Sequence, residues 1–283
     1  MTMPIDLILV RHGESEGNVA NRLSRKGDNR HFTKGFLERH SSSWRLSDRG
    51  REQAISAGKW IMENCLYVPV GVSFKKTTPK SSPFDRHYTS EYIRAMETAA
   101  LLGLPCALWY REVLLRERDW GDLDVMPDDK RKNLFSKALE KRQASFLLWR
   151  PPNGESLADM MARLLWILST LHRECTDKRV VIVCHGEVMW GFRTRLERIT
   201  TQKFHELEES DDPKDHIYNC QILHYTRRNP KTGRLTAHLG WMKSVCPWDT
   251  ARSSNTWQEI HRPRYNNDEL LLEVQKVKRT VAE

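Results

Sequence analysis

Two short strand-like runs, each followed by a His-Gly pair, constrain the fold of this chain more than any other feature. The first run covers residues 5–10 and precedes the pair at 12–13, and the second covers residues 180–184 and precedes the pair at 185–186. The second run is apolar at every position, which is typical of a parallel strand covered on both faces. Both runs are far shorter than the ~20 apolar residues that a membrane-spanning helix needs. They therefore predict buried strands of a soluble protein.

Helical patterns lie between these strands. They predict helices over residues 48–65, over 91–102 with Ser90 as the cap, and over 156–175 with a capping box at its start. Residues 124–149 form a further charged, helix-prone segment. Strands that alternate with helices predict an α/β fold, and specifically a three-layer α/β/α sandwich around a mainly parallel sheet.

Weaker patterns predict the remaining strands. Residues 112–117 form a short strand that leaves Glu117 near its end, and residues 219–226 and 234–241 form a hairpin. Residues 66–86 begin as a strand-like run and continue as a loop rich in Lys, Thr, Ser and Pro. The sheet should therefore contain more strands than the two that end in histidine.

The length of 283 residues fits one large domain with insertions as well as it fits two domains. We assign residues 1–248 to one domain with insertions at about 24–45, 75–86 and 122–150, followed by a C-terminal tail, 249–283. The tail ends in a short amphipathic helix that could dock on its own domain or on a partner. Because its apolar stripe is short, we expect it to pack on its own domain.

The composition predicts a soluble cytoplasmic protein. The N-terminus has no basic segment followed by an apolar one, so no secretory signal and no membrane partner are expected. The six cysteines include no CxxC pair, and the eleven histidines include no HExxH motif. We therefore expect reduced thiols, no metal site and no cofactor.

The formal net charge of +9 indicates an anionic partner. Residues 22–45 concentrate this charge, with seven Lys/Arg against two Asp/Glu. Nucleic acid and anionic small molecules explain the excess equally well by composition alone. Because no basic motif interleaved with aromatic residues is present, we do not expect a nucleic-acid partner; a gel shift at two salt concentrations would test this.

The two histidines that follow the strands are the first candidate catalytic residues. Ligands of open α/β sheets bind beyond the C-terminal strand edges, so adjacent strands would bring His12 and His185 together. Arg11 and Arg94 carry guanidinium groups suited to bidentate phosphate contacts. Taken singly, a histidine at a strand end is more often structural, and a helix arginine is more often solvated. The combination favours an anion-binding active site.

Six sequence blocks resemble the histidine phosphatase superfamily, the phosphoglycerate-mutase-like fold. Residues 9–18 have the sequence LVRHGESEGN, which is similar to the family signature. The other blocks lie at residues 46–54, 89–99, 115–121, 154–156 and 183–186. All six occur in the family's order between residues 5 and about 226. The resemblance implies this fold and phosphoryl-transfer chemistry.

The resemblance also implies roles for the charged residues. His12 would attack phosphorus and become a phosphohistidine, for which it must be neutral, and the nearby arginines favour its neutral form. Arg11, Arg94 and His185 would stabilise the charge that develops on the phosphoryl oxygens. These four residues form the implied centre of the reaction.

Three further residues complete the implied site. Asn18 and Gly186 would contact the phosphate group. Glu117 would protonate the leaving oxygen and then activate water against the phosphohistidine. Because the arginines favour an ionised carboxylate, a bound phosphate dianion would have to help Glu117 keep its proton. We therefore expect higher activity below neutral pH than above it.

Departures from the mutase pattern favour a phosphatase. Gly17 stands where true phosphoglycerate mutases carry tryptophan, and residues 21–26 lack the mutase Gly-Trp. Residues 146–156 and 219–223 are more similar to phosphatase-like members of fungi and plants. The sequence thus predicts a metal-independent phosphatase for a small phosphorylated substrate.

Other functions stay open at this stage. The chain could be a phosphoglycerate-mutase-type phosphoryl transferase, or a catalytically silent regulator that binds a phosphorylated ligand. Intact His12, Arg94, Glu117 and His185 argue against the silent regulator. If residues 22–45 and 122–150 cover the pocket, they would determine the specificity. The sequence does not predict the substrate or the oligomeric state.

Overall fold

The computed structural model describes residues 2–65 and 81–281, without the side chains of residues 143 and 144. These residues form seven strands in one sheet and nine α-helices. The strands are β1 (Asp6–Arg11), β2 (Arg86–Ser90), β3 (Trp109–Glu112), β4 (Arg179–Cys184), β5 (Ile222–Thr226), β6 (Trp241–Val245) and β7 (Gln258–Glu259). The helices are α1 (Glu16–Ser24), α2 (Lys34–Leu37), α3 (Asp48–Cys65), α4 (Ile93–Leu101), α5 (Asp128–Ala144), α6 (Leu157–Glu174), α7 (Gly186–Glu197), α8 (Thr201–Glu208) and α9 (Asn267–Gln275).

The sheet has a parallel part and an antiparallel part. Its strand order is β3-β2-β4-β1-β5-β6-β7, and the first four of these strands run parallel to one another. The pairs β1–β5, β5–β6 and β6–β7 are antiparallel. The two strands that end in His-Gly are direct neighbours, with Arg11 opposite Cys184. The predicted α/β fold around a mainly parallel core is confirmed.

The central strands are covered on both faces, as the apolar run of β4 indicates. Leu7 and Leu9 of β1 point to one core, whereas Ile8 and Val10 point to the other, because side chains alternate across a strand. The first core contains buried side chains of α6 and α7, and the second contains those of α3 and α4. The helices therefore form a layer on each side of the sheet, as predicted.

The local sequence explains where helices α1 and α6 begin. Ser156 is the N-cap of α6, and its capping box with Asp159 is formed as predicted. Ser15 and Asn18 form an equivalent box at the start of α1. Each box satisfies backbone N–H groups that have no partner within the first turn of its helix.

Three element boundaries differ from the prediction. The strand expected over 112–117 ends at Glu112 and continues as a 3₁₀ turn, so that Glu117 lies in the following loop. Helix α4 has Tyr92, not Ser90, as its N-cap, because Ser90 is still part of β2. The expected hairpin strand over 234–241 is wrong, since β6 begins only at Trp241.

The insertions and the tail were harder to predict. The strand-like start at residue 66 and the first half of the insertion predicted over 75–86 lie outside the described residues, and Arg86 already belongs to β2. Helix α9 has no buried residue, so the expectation that it packs on its own domain is wrong. Within the described residues, no helix is both long and apolar enough to span a membrane.

Candidate active site

The two histidines meet at the C-terminal edge of the central strands. Their ring centroids are 5.1 Å apart, and both side chains are buried. The backbone N–H of His12 donates to the carbonyl of Cys184 at 2.9 Å, which continues the β1–β4 pairing up to the site. The structure thus brings together two residues that are 173 positions apart in the chain.

His12 has a defined orientation. Its Nδ1 lies 2.7 Å from the carbonyl oxygen of Gly13, so Nδ1 carries the proton and donates. Its Nε2 accepts a hydrogen bond from Nε of Arg94 at 3.1 Å. Burial, reinforced by the charges of Arg94 and Arg11, lowers the pKa of His12 well below its usual value. His12 is therefore neutral, with the Nε2 electron pair as its nucleophilic atom.

Arg94 is fixed by its surroundings. It lies on the first turns of α4, and its Nη1 donates to the carbonyl of Ser41 at 2.6 Å. Its guanidinium lies 4.9 Å from the ring centre of Tyr92 and 5.9 Å from that of Trp44. A buried guanidinium between aromatic rings keeps its donors in a fixed direction.

Glycine at position 13 allows a close approach of two backbone segments. A Cβ atom at Gly13 would lie 2.3 Å from the carbonyl oxygen of Gly50, the third residue of α3. The N–H of Gly13 donates to Oγ1 of Thr98 at 3.0 Å. The loop after β1 therefore packs closely against α3 and is hydrogen-bonded to α4.

Two buried side-chain nitrogens at the site have no hydrogen-bond partner among the described residues. One is Nε of Arg11, whose Nη1 donates to the carbonyl of Ile217 at 2.6 Å. The other is Nδ1 of His185, whose Nε2 lies 2.8 Å from Oγ of Ser90. An unpaired buried donor costs roughly 1–3 kcal/mol, so such groups point to a ligand.

Gly186 lets Arg11 lie against the backbone at the start of α7. A Cβ at Gly186 would be 3.3 Å from Nε of Arg11, which is a tight contact. Both residues line a cavity of about 370 Å³. Glu117 lines the same cavity, and its Oε1 accepts the backbone N–H of Arg118 at 3.1 Å.

Asn18 lies at the site, where its side-chain oxygen holds neighbouring residues; its predicted contact with phosphate stays a prediction. Its side-chain oxygen accepts from the N–H and Oγ of Ser15, and also from Nδ2 of Asn219 at 3.1 Å. Asn219 donates in addition to the carbonyl of His12 at 3.1 Å. Asn18 therefore contributes to the scaffold of the His12 loop, and only its amide nitrogen could serve a ligand.

Part of the basic insertion reaches the cavity. Arg25 lines it, as does Arg131 of α5, whose guanidinium donates to the carbonyls of Leu123 and Met126. Lys26, the next residue of the basic segment 22–45, is not among the lining residues. Both predicted specificity segments, 22–45 and 122–150, therefore contribute to the cavity wall.

Sequence reasoning missed Glu187, the residue after Gly186. It lines the cavity, and its carboxylate accepts from Nε1 of Trp120 at 3.1 Å and from Nη1 of Arg118 at 3.3 Å. Burial, together with the negative charge of Glu117, raises the pKa of Glu187 to about 7. The sequence signal that could have identified Glu187 is its place directly after the His-Gly pair at the end of β4.

The described residues contain no group of three or more His, Cys, Asp and Glu side chains that could hold a metal ion. The charges that face His12 come from arginine side chains. The arrangement offers a neutral imidazole and several cationic or polar donors, and Glu117 interacts electrostatically with both Arg11 and Arg94. His12, Arg94 and His185 are not among the residues that line the cavity beside Arg11, Gly186 and Glu117.

The fold and this constellation are those of the histidine phosphatase superfamily, whose members include phosphatases and mutases. Residues 76–229, more than half of the chain, match the family model of the Histidine phosphatase superfamily (branch 1). The chain belongs to this family, and the resemblance predicted from the sequence is confirmed.

Curated relatives of the chain include mutases. A 2,3-bisphosphoglycerate-dependent phosphoglycerate mutase of Methylobacterium radiotolerans is 29% identical over 211 residues, which cover 71% of this chain and 84% of the relative. The mutase of the same name from Bartonella bacilliformis is 30% identical over 208 residues, covering 70% of this chain and 84% of the relative. The likeness to fungal and plant members stays a prediction.

Solved structures with the same fold include phosphatases. The alpha-ribazole phosphatase of Shigella flexneri has a TM-score of 0.56 and 19% identity, with 83% of this chain and 96% of that chain covered. A mycobacterial glucosyl-3-phosphoglycerate phosphatase has a TM-score of 0.53 and 21% identity, with 78% and 90% covered. These likenesses establish the fold.

Proposed function

We propose that this protein is a phosphatase that hydrolyses small phosphate monoesters through a phosphohistidine at His12, without a metal ion. The observation that carries the proposal is the neutral His12, whose Nδ1 is bonded to Gly13. Beside it lie two buried nitrogens without partners in the described structure, Nε of Arg11 and Nδ1 of His185. A phosphoryl group bound there would satisfy both donors.

In the first half-reaction, Nε2 of His12 attacks phosphorus and forms an N–P bond while the P–O bond of the ester breaks. Glu117 gives its carboxyl proton to the leaving oxygen, so the alcohol departs neutral. Arg11, Arg94 and His185 stabilise the charge on the phosphoryl oxygens. Arg94 must exchange its bond to Nε2 for a phosphate oxygen in this step.

The second half-reaction returns the enzyme to its starting state. Water attacks phosphorus and gives a proton to the Glu117 carboxylate, the N–P bond breaks, and its electron pair returns to Nε2 of His12. The products are inorganic phosphate and the alcohol. The sum of both steps is the hydrolysis of one ester bond.

The role of His185 depends on its tautomer. If Ser90 donates its hydroxyl proton to Nε2 of His185, then Nδ1 carries the ring proton and is the donor without a partner. The pKa of His185 is lowered well below its usual value, first by burial and then by Arg94. A neutral imidazole with this tautomer is a fixed hydrogen-bond donor for a phosphoryl oxygen.

The environment of Gly17 favours the phosphatase over the mutase. A Cβ at Gly17 would lie 2.1 Å from the ring of Trp44, which is buried beside α1. A tryptophan at position 17, the mutase feature, has no room here. The segment around position 17 therefore differs from the mutase pattern in its packing as well as in its sequence.

Phosphoglycerate-mutase activity is the second candidate, because the curated relatives carry that name. Both candidates share the phosphohistidine and differ in whether water or a second substrate oxygen accepts the phosphoryl group. Arg25 and Arg131 in the cavity wall would suit a substrate with a second anionic group in either case.

Hydrolysis of p-nitrophenyl phosphate in the presence of EDTA tests the proposal, with His12→Ala as the comparison. If wild type hydrolyses the substrate and His12→Ala does not, the result supports the phosphatase. If wild type releases no phosphate but interconverts phosphoglycerates when 2,3-bisphosphoglycerate is added, the mutase is correct. Binding of inorganic phosphate without either activity would indicate the silent regulator.

A further inference from the structure

The cavity beside Arg11 and Glu117 has an aromatic wall. Four of the side chains that line it are aromatic, and they come from separate parts of the chain: Trp120, Phe146, Trp190 and Phe204. The half-reactions above do not use these side chains. An inference about them rests on the proposed function, since it concerns the alcohol part of the phosphate ester.

Contacts within the protein hold this wall in place. The ring centroid of Phe204, on α8, lies 5.0 Å from that of Phe146 and 5.0 Å from that of Trp190, on α7. Nε1 of Trp120 donates to the carboxylate of Glu187 at 3.1 Å. Because aromatic pairs at such distances stabilise one another, the wall is formed before a ligand binds.

Apolar surface extends beyond this wall. Phe146, Leu157 and Phe204 also line a second cavity of about 270 Å³, together with Met160 and Ile199. The first cavity measures about 370 Å³. Small-molecule sites of roughly 300–1,000 Å³ are typically lined by apolar and aromatic side chains with a few polar groups. The size and lining of the first cavity therefore match a site for a small molecule with an apolar body.

Several charged side chains of the cavity already bond to other parts of the protein. Glu187 accepts from Nη1 of Arg118 at 3.3 Å, and Glu208 accepts from Nη2 of Arg142 at 3.2 Å. The guanidinium of Arg131 donates to two backbone carbonyls. A polar leaving group would have to compete with these bonds, whereas an apolar one gains free energy by removing aromatic surface from water.

We propose that the aromatic wall is the subsite for the leaving group, and that the substrate is the phosphate monoester of an alcohol with an apolar or aromatic body. Arg11 and Gly186 lie at the phosphate end of the cavity, and Glu117 lines the same space. With the phosphoryl group at this end, the alcohol occupies the rest of the cavity and contacts the aromatic side chains. Arg25 lines the cavity as well, so the experiment includes a substrate with a second anionic group.

Hydrolysis of 2-phenylethyl phosphate, ethyl phosphate and 3-phosphoglycerate tests this inference, because the first two esters release alcohols of similar acidity. We expect kcat/KM for the phenylethyl ester to exceed that for the ethyl ester by at least about tenfold, the low end of what one methylene group contributes in an apolar pocket. Phe204→Ala should lower this ratio by about two- to tenfold, the equivalent of one aromatic contact. Trp166→Ala, which removes an exposed aromatic side chain of α6, should keep the wild-type ratio.

Equal kcat/KM for the two alkyl esters, or a higher value for 3-phosphoglycerate, would overturn the inference and leave the phosphatase intact. A binding measurement separates this failure from failure of the proposed function, because it needs no turnover. Calorimetry would compare 3-phenylpropylphosphonate with propylphosphonate, whose C–P bonds are not hydrolysed. We expect the phenyl compound to bind at least about tenfold more tightly, even if no ester is hydrolysed. Equal affinities, or no binding of either compound, would disprove the subsite.

Discussion

Nε of Arg94 donates to Nε2 of His12 across 3.1 Å in a buried environment. This contact is stable only while His12 is neutral, because a protonated Nε2 would face the guanidinium as a second donor. The same contact places the Nε2 electron pair beside the cation that would neutralise a bound phosphate. In the proposed mechanism, the nucleophile His12 and its electrostatic partner Arg94 are therefore assembled before any substrate binds.

Replacing Arg94 by lysine should lower kcat by about 10²–10³-fold. Lysine keeps the charge but loses the planar guanidinium, which donates hydrogen bonds to His12 and to the carbonyl of Ser41. In the proposed mechanism the guanidinium also binds the substrate phosphate. Steady-state hydrolysis of p-nitrophenyl phosphate measures the effect, with circular dichroism to verify folding. Arg111→Lys, on the exposed side of β3, is the matched control. A kcat within threefold of wild type for Arg94→Lys would contradict the assigned role.

Replacing Ser90 by alanine should lower kcat by about 10–100-fold, the equivalent of the roughly 1–3 kcal/mol lost when a buried group loses its partner. The substitution removes the hydroxyl that fixes the ring and the tautomer of His185. Ser90→Thr keeps the hydroxyl and should retain most of the activity. Equal activity of the alanine and threonine variants would show that His185 does not depend on this bond.

Replacing Gly17 by alanine should destabilise the protein by about 1–3 kcal/mol, although alanine normally stabilises helices. The added methyl group would overlap the ring of Trp44, which stacks on Phe36 at a centroid distance of 5.1 Å. Gly35→Ala in α2 is the control, because a Cβ there meets no atom within 4 Å. Urea denaturation compares the two variants, and equal stabilities would refute the packing argument.

Glu97 should make stability depend on acid pH. Its carboxylate bonds Arg45 and Arg51 and accepts the backbone N–H of Leu46, and the bond from Arg45 is the largest cause that lowers its pKa from 4.5 to about 2. A lowered carboxyl pKa contributes stability above pH 4.5, and this contribution is lost as the pH falls towards 2.

We expect Glu97→Gln to reduce the free energy of unfolding at pH 7 by about 1 kcal/mol, a small value because solvent screens the partly exposed ion pairs. The difference from wild type should shrink between pH 4.5 and pH 2. Urea denaturation at pH 7, 4.5 and 3 measures this dependence. A difference that is the same at all three values would disprove the linkage.

The sequence predicted the sheet core well because local and global signals agree there. The apolar run of β4 predicts a buried strand. The two His-Gly pairs predict that β1 and β4 are neighbours and that the site lies at their C-terminal edge. The capping box of α6 was equally predictable, since Ser156 and Asp159 act within one turn. Such features depend on residues close together in the chain.

Features that depend on distant contacts were missed. The place of Glu187 in the cavity wall depends on contacts such as its hydrogen bond from Arg118, which lies 69 positions earlier in the chain. The pairing of β6 with β5, which begins at Trp241, likewise depends on tertiary contacts. Residues 234–240 have a strand-like sequence pattern but do not belong to β6. Helix α9 has apolar residues but lies exposed, which its own pattern could not indicate.

The most direct test of the account is to identify the residue that carries the phosphoryl group. The protein would be mixed with p-nitrophenyl phosphate in EDTA, quenched at alkaline pH, digested and examined by mass spectrometry, with His12→Asn as the control. We predict one acid-labile phosphoryl group on the peptide that contains His12 and none in the variant. Metal-independent turnover that survives in the variant, or a phosphoryl group on another residue, would contradict the account.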